Sequence, residues 1–449
     1  MTDALMRHAL RDLPRYTSYP TAVHFSEQVN EPIARLWASG VDPSDPISIY
    51  VHVPFCEKLC WYCGCHTSVP NGYDRVAALA RRLETEIGLW AEALDEHGGA
   101  AHVHFGGGSP NALSPEDFER IARRLRSVFR LQPDAEFAVE LDPRTLRPDF
   151  IEALGRAGVN RASLGVQTFD RIVQSKINRH QPYEQVAEAV RHLRAVGVKA
   201  INFDLMYGLP AQTEANITDT VEQAVTLRPD RIAMFGYAHV PWFAKHQKMI
   251  KDEDLADSAG RWAQATAADE ALLAAGYVRV GLDHYALPTD SMALAAHTGG
   301  LRRNFQGYTT DPARTVIGIG PSSIGAFEQG LVQNTKALDR WNAAIDQGRL
   351  PVERGLILTH DDCIRAAAIE RIMCDLTVDV AEICARFNAE LDALDDGLNQ
   401  ARLLAAEGLC RVDGTRITVS PAGRRLVRVV ASVFDASLTN TPGRHAKAV

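Results

Sequence analysis

Six short apolar runs recur along the first half of the chain: ISIYVHV (47–53), AHVHF (101–105), EFAVEL (136–141), RASLGVQ (161–167), AINFDLM (200–206) and RIAMFGY (231–237). Their length and their flanking turn formers predict buried strands. Helical patterns fill the gaps. SPEDFERIARRLRSVF (114–129) offers Ser114 as N-cap, Pro115 at the first helical position and acids in the first turn. YEQVAEAVRHLRAVG (183–197) repeats apolar positions at helical spacing and closes on a glycine. Such alternation predicts βα units, hence an α/β fold around a parallel sheet. In barrels of this kind chemistry gathers at the C-terminal strand ends. The chain places GGGSP (106–110), Glu140, Gln167, Asp204 and Ala238 there. Any one of these fits a turn or a cap equally well; five in succession point to a site.

The pattern changes near residue 350. LTHDDCIRAAAIERIMCDL opens with a capping box, Thr359 to Asp362, and helical spacing runs to about residue 407. GLCRVDGTRITVSPAG (408–423) predicts a hairpin turning at Asp413–Gly414. A basic helix, GRRLVRVVASVF, is expected next. The whole resembles a small, mainly helical, winged-helix-like module. DNA binding through GRRLVR would need a clear basic face; a cap over the barrel is the stronger expectation. The tail TNTPGRHAKAV is expected to be mobile.

Composition narrows the function. The chain has 449 residues, 46% hydrophobic and 23% charged, with a net charge of −8. That balance suits a globular protein and argues against nucleic acid as a partner. No run of about 18 apolar residues is present to span a membrane. MTDALMRHALRD lacks the apolar stretch of a signal peptide. A cytoplasmic location follows as an expectation, and with it reduced thiols.

FCEKLCWYCGC (55–65) then carries most of the chemistry. It sets Cys56, Cys60 and Cys63 in C-x3-C-x2-C spacing, with Cys65 two residues on. Reduced, clustered thiols serve metal binding or catalysis rather than disulfides. Soft thiolates on one loop suit zinc or an iron–sulfur cluster. Uneven spacing without a second C-x2-C pair nearby favours the cluster and leaves zinc open. Cys363, Cys374, Cys384 and Cys410 show no ligand-like spacing and read as packed apolar residues.

A C-x3-C-x2-C loop after a strand ending in proline resembles that of the radical S-adenosylmethionine superfamily. The resemblance implies a partial (β/α)6 TIM-like barrel. It also implies a [4Fe–4S] cluster on Cys56, Cys60 and Cys63, whose open iron chelates S-adenosylmethionine for reductive cleavage. Cys65, outside the triplet, is expected to be a packed thiol. PRYTSYPTA (14–22), HFGGGSP (104–110), LDPR (141–144), NRHQ (178–181), DLMYGLP (204–210), YAHVP (237–241), GLDHYALP (281–288) and RNFQGYTT (303–310) narrow it further. They are similar to the oxygen-independent coproporphyrinogen III dehydrogenases (oxidases). That family decarboxylates the ring A and B propionates of coproporphyrinogen III to vinyls, giving protoporphyrinogen IX in haem synthesis.

The same resemblance implies site residues. Tyr50, Gly107 and Glu140 would contact the cluster-bound S-adenosylmethionine, with Ile324 nearby. Tyr62, Gly108, Ser109, Gln167, Arg179, Asp204 and Ala238 match positions for a second one. Tyr62 and Ser109 stand where phenylalanine and threonine are common. No side chain is assigned as the catalytic group. The substrate carries four carboxylates on an acidic chain, so local arginines must receive them; Arg15, Arg302 and Arg303 are the candidates, with Phe305 and Gln306 beside them. Four regions are expected: an arm over 1–45 near the active site, the barrel over 46–275, an extension with substrate-contacting loops over 276–350, and the helical domain over 351–449. The partners expected are the tetrapyrrole, an electron donor and an electron acceptor, with no nucleic acid and no membrane, for a monomer. A haem-binding chaperone that shares the triplet is the alternative.

Overall fold

A computed structural model describes residues 3–438. The six runs become β1 (Ile47–Val53), β2 (Ala100–Gly107), β3 (Leu131–Leu141), β4 (Arg161–Gln167), β5 (Ala200–Tyr207) and β6 (Arg231–Gly236). They pair in sequence order and all in parallel. The two-residue period of a strand explains the burial. On β5, Ile201, Phe203 and Leu205 enter the main hydrophobic core, while Asn202 and Asp204 take the other face. On β3, Phe137, Val139 and Leu141 do the same, opposite Glu136 and Glu140. These two runs are therefore apolar toward the helices and polar on their second face.

Both edges of this sheet are extended. Thr315–Ile319 runs parallel to β1 and is followed by an antiparallel meander of Ile324–Phe327, Gly330–Asn334 and Val352–Ile357. His284–Ala286 and Val278–Val280 add antiparallel strands beyond β6. The result is a 12-stranded sheet in which no pairing among the described residues joins the two edges, an open partial barrel with additions. These additions are three to six residues long, too short for periodicity to mark them.

The predicted helix starts hold. Ser114 Oγ accepts from the Asp117 N–H at 3.1 Å and caps Pro115–Phe129. Thr359 and Asp362 cap His360–Asp375 reciprocally. Beyond it, Val380–Arg386, Asp395–Ala406 and a small antiparallel sheet of Thr377–Asp379, Arg416–Val419 and Cys410–Asp413 complete the C-terminal region. Asp413 pairs with Arg416, so the hairpin turns on Gly414–Thr415, one residue later than expected, with Gly414 at φ +60.

The expected basic helix is a larger correction. Residues 424–434 break into a 3-10 turn, the short helix Val427–Ala431 and a second 3-10 turn, and Val427, Val429, Val430, Ala431 and Phe434 are buried. That apolar content draws the segment into the core. Its arginines turn inward: Arg424 donates to the Gly281 carbonyl, Arg425 to Thr266 Oγ1 and Arg428 to the Leu13 carbonyl. The arm joins the same core through Leu5, Ala9, Leu13, Tyr16 and Tyr19. Cys374, Cys384 and Cys410 are buried and Cys363 half-buried, but Cys65 is exposed rather than packed. No described helix is long and apolar enough to cross a membrane. The tail expected to be mobile, 439–449, lies outside the described residues.

Candidate active site

The cysteine loop leaves β1 and is pinned from two neighbouring strand-end loops. Trp61 N–H donates to the Ile177 carbonyl at 3.0 Å, and Asn178 Nδ2 donates to the Leu59 carbonyl at 2.9 Å. Gln247 Nε2 holds the Tyr62 carbonyl at 2.9 Å and His246 the Cys63 carbonyl at 2.6 Å. Thus held, Cys56, Cys60, Cys63 and Cys65 open onto one cavity of about 470 Å³ at the C-terminal strand ends. Each sulfur of the triplet accepts a hydrogen bond: Cys56 from Thr67 Oγ1 at 3.2 Å, Cys60 from Arg144 and Arg179 at 3.2 Å each, Cys63 from the Cys65 N–H at 3.4 Å. Burial pushes the Cys56 thiol up to about 12, whereas the Cys65 thiol and N–H draw Cys63 below its ordinary value, with Arg179 helping.

Acids in this cavity are compensated within the protein. His104 Nε2 meets Glu140 Oε1 at 2.8 Å and the Gly107 N–H reaches Oε2 at 3.3 Å. Burial alone would raise Glu140, but these partners hold it below the usual carboxylate range. Asp142 is buried between Arg144 at 2.6 Å and Arg179 at 3.1 Å. Two guanidiniums on one carboxylate leave a positive charge beside the Cys60 sulfur. Asp204 accepts from Ser163 Oγ at 3.1 Å and Asn202 Nδ2 at 3.0 Å, both neutral. Burial, and then the Glu140 charge, raise it to about 6.

Backbone geometry completes this wall. Gln167 ends β4 at φ +65, a conformation costly for a residue with a Cβ and typical of functional sites. Gly108 presses so closely on the cysteine loop that a Cβ there would stand 2.4 Å from Thr67 Oγ1 and 2.6 Å from the Phe55 carbonyl oxygen.

A larger cavity, about 990 Å³, adjoins the first. Arg15, Tyr237, Ala238 and Val240 line both. Its walls come from the arm, the ends of β5 and β6, the helix Ser258–Ala274, residues 281–285 and the C-terminal segment around Arg424.

Comparison with known proteins decides the family. The radical SAM superfamily matches residues 50–224, and the HemN C-terminal domain matches 358–426. An oxygen-independent coproporphyrinogen III oxidase of Bradyrhizobium diazoefficiens is 48% identical over 447 residues, covering 100% of this chain and 99% of its own. The chain belongs to this oxidase family. Its counterpart in Salmonella typhimurium is 38% identical across 95% of this chain and 93% of its own. The solved structure of coproporphyrinogen III oxidase from Escherichia coli, described as a radical SAM enzyme, superposes with a TM-score of 0.91 at 35% identity, over 95% of this chain and all of that one.

The family's cofactors are a [4Fe–4S] cluster and S-adenosylmethionine. The residues present fit them: three soft thiols, each already accepting a hydrogen bond, share one cavity with an ionised carboxylate and a glycine-rich strand end. Of the residues implied by resemblance, the cysteine triplet, Tyr62, Gly107, Gly108, Glu140, Gln167, Arg179, Asp204 and Ala238 all line that cavity. Tyr50, Ser109 and Ile324 do not. Tyr50 hydrogen-bonds His52 at 3.1 Å and lies against the His104 ring; Ser109 Oγ is turned to Asn111. Ile324 begins the strand antiparallel to Thr315–Ile319, beside Gly318, which pairs with Tyr50.

The substrate candidates divide. Arg15 lines both cavities and donates to the Gly236 carbonyl at 3.2 Å. Arg303 lines the larger one, lies over the Tyr308 ring at 4.4 Å and holds the Tyr16 and Arg15 carbonyls at 3.1 Å each. Arg302, Phe305 and Gln306 line neither; Arg302 donates to the Pro312 carbonyl and Phe305 packs edge-on against Phe25. Sequence reasoning missed Asp142, His104, Arg144, Arg261 and Arg424. LDPR carried a signal for Asp142 and Arg144, since an acid and a base two residues apart at a strand end can close on each other.

Proposed function

We propose that this chain oxidatively decarboxylates the ring A and B propionates of coproporphyrinogen III to vinyl groups, giving protoporphyrinogen IX. The observation that carries it is the junction of two cavities, a thiol-lined one sized for a cofactor and an arginine-lined one sized for a tetrapyrrole, in a chain 48% identical end to end to a named oxidase. The cluster and S-adenosylmethionine supply the radical chemistry that removes hydrogen from an unactivated carbon, which no side chain can do.

The chain's residues position and protect. Cys56, Cys60 and Cys63 would hold the cluster, and Arg144 and Arg179 each donate a hydrogen bond to the Cys60 sulfur. Glu140, ionised and aimed by His104, suits the ammonium group of the methionine moiety. Gly107 and Gly108 admit that moiety to the backbone, and Tyr62, Gln167, Arg179, Asp204 and Ala238 line space for a second molecule. Arg15 and Arg303 are placed for propionates. The C-terminal segment and the arm supply part of the wall of the larger cavity. Per propionate, carbon dioxide and two hydrogens leave, so electrons must come from a donor and depart to an acceptor, both separate redox partners. The inward arginines of GRRLVR support a reading without nucleic acid; the proposal further takes the protein as a cytoplasmic monomer with no membrane partner.

The test is product analysis. Anaerobically reconstituted protein, S-adenosylmethionine, a reductant, coproporphyrinogen III and an electron-accepting extract should give two successive losses of about 46 mass units, one carbon dioxide plus two hydrogens each. Unchanged substrate from protein that cleaves S-adenosylmethionine and retains haem on isolation would replace this reading with the chaperone.

A further inference from the structure

The larger cavity gathers positive charge on an acidic chain. Seven arginines and four aspartates line it, whereas the chain as a whole is −8. Part of that excess is consumed locally. Asp269 binds Arg279 through two contacts of 2.6 Å, stands 3.5 Å from Arg425 and accepts from Tyr285 at 2.7 Å. Asp283 is matched to His284 at 2.8 Å, and Asp257 caps its helix at Gly260.

Two guanidiniums on this wall have no such carboxylate among the described residues. Arg261, on the first turn of Ser258–Ala274, projects over the Tyr207 ring at 5.8 Å. The groups that bear on it are Tyr207, Arg15 and Tyr237: a second cation and two phenols. It lies against the ends of β5 and β6, where glycines make room. A Cβ on Gly208 would stand 2.5 Å from its Nη1, and one on Gly236 3.3 Å from its Nη2. Arg424 donates to the Gly281 carbonyl at 2.9 Å; Arg279 is the strongest charge acting on it, and Asp269, already bound to Arg279 and Arg425, acts on it only weakly and without an ion pair. Half-burying a guanidinium beside another, with carbonyl or ring groups as its direct partners, is unfavourable for the ligand-free protein. Such an arrangement makes sense when an anion completes it, and a guanidinium fork matches a carboxylate best.

We propose that Arg261 and Arg424 are two carboxylate seats, each receiving a propionate of the tetrapyrrole. The inference rests on the substrate class proposed above and names the side chains that select it. The propionates held there are those that do not react in that turnover, because pairing with a guanidinium stabilises the anion against leaving as carbon dioxide. Arg261, next to Arg15 and Tyr237 at the junction of the cavities, seats the one nearer the cofactor; Arg424 seats one farther out.

The test uses cluster-free full-length protein and coproporphyrin III, a fluorescent tetracarboxylate, with its tetramethyl ester as the uncharged control. Arg261→Met and Arg424→Met should each weaken binding of the acid by roughly tenfold or more and leave binding of the ester unchanged. Arg261→Lys should recover part of the loss. Ligand-free Arg261→Met should melt at or above the temperature of the unaltered chain, which a structural arginine would not do. In turnover, KM should rise more than kcat falls. Variants that bind the acid like the unaltered chain, or lose the ester equally, would overturn the seats. Failure of the unaltered chain to bind or convert the tetrapyrrole would instead overturn the proposed function. If Arg261→Met did not fold, Arg424→Met and Arg261→Lys would still decide.

Discussion

In the smaller cavity Glu140 has His104, and Asp142 has Arg144 and Arg179, before any ligand arrives. In the larger cavity Arg15 and Arg303 rest on backbone carbonyls, and Arg261 and Arg424 meet no carboxylate among the described residues. The two sites share a border at Tyr237 and Ala238. The difference follows from what each must do. A cofactor site works by fixed geometry, and internal ion pairs hold that geometry without help. A site for a multiply charged substrate gains affinity and selectivity by leaving charge for the substrate to neutralise, at some cost to stability.

The largest effect expected lies in the cofactor cavity. Cys60→Ala removes the sulfur on which both Arg144 and Arg179 converge. Iron and sulfide bound after reconstitution should fall from about four each per chain to below about one, with product formation lost. Retained iron would move the cluster off this triplet. Next comes Asp142→Ala. It strands two guanidiniums, one of them buried and one nearly so, and should lower the stability of the cofactor-free protein by about 3–5 kcal/mol in urea unfolding. Arg261→Met, across the border, should lower it not at all. Equal losses from the two variants would erase the contrast between the cavities.

The same contrast explains what the sequence could reveal. β4 was legible to the residue as RASLGVQ, since its apolar alternation and its flanking turns are local. So were the caps at Ser114 and Thr359, because a cap needs only four consecutive residues. The cysteine triplet and most of the cofactor positions that the resemblance implies sit at strand ends, where βα order alone places them. The larger cavity was barely legible. Its arginines come from the arm, a barrel helix, the hairpin strand Arg302–Asn304 and the C-terminal segment, and only folding brings 15, 261, 303 and 424 to one wall. GRRLVR was expected to open a basic helix, and nothing local tells an inward arginine from an outward one. Arg302 and Arg303 differ in placement for the same reason: neighbours in sequence, they point to opposite sides of the hairpin strand Arg302–Asn304, and only Arg303 lines the larger cavity.

Asp204 is the exception within the compensated cavity, and it yields the smallest effect. Its partners, Ser163 and Asn202, carry no charge, and Glu140 repels its ionised form. Its folded-state value of about 6 lies above the ordinary 3.8. Between those two values the folded protein holds a proton that the unfolded chain releases. Stability from this group is therefore full below about pH 4 and is lost as pH rises through about 6. Thermal unfolding of the cofactor-free protein should show that decline, on the order of 2 kcal/mol after solvent screening. Asp204→Asn should flatten it. Glu140→Gln should shift it to lower pH, because removing the neighbouring charge eases ionisation of Asp204. A slope indifferent to Glu140→Gln would mean that burial alone sets the proton affinity of Asp204, and the two carboxyls would then have to be treated as independent sites.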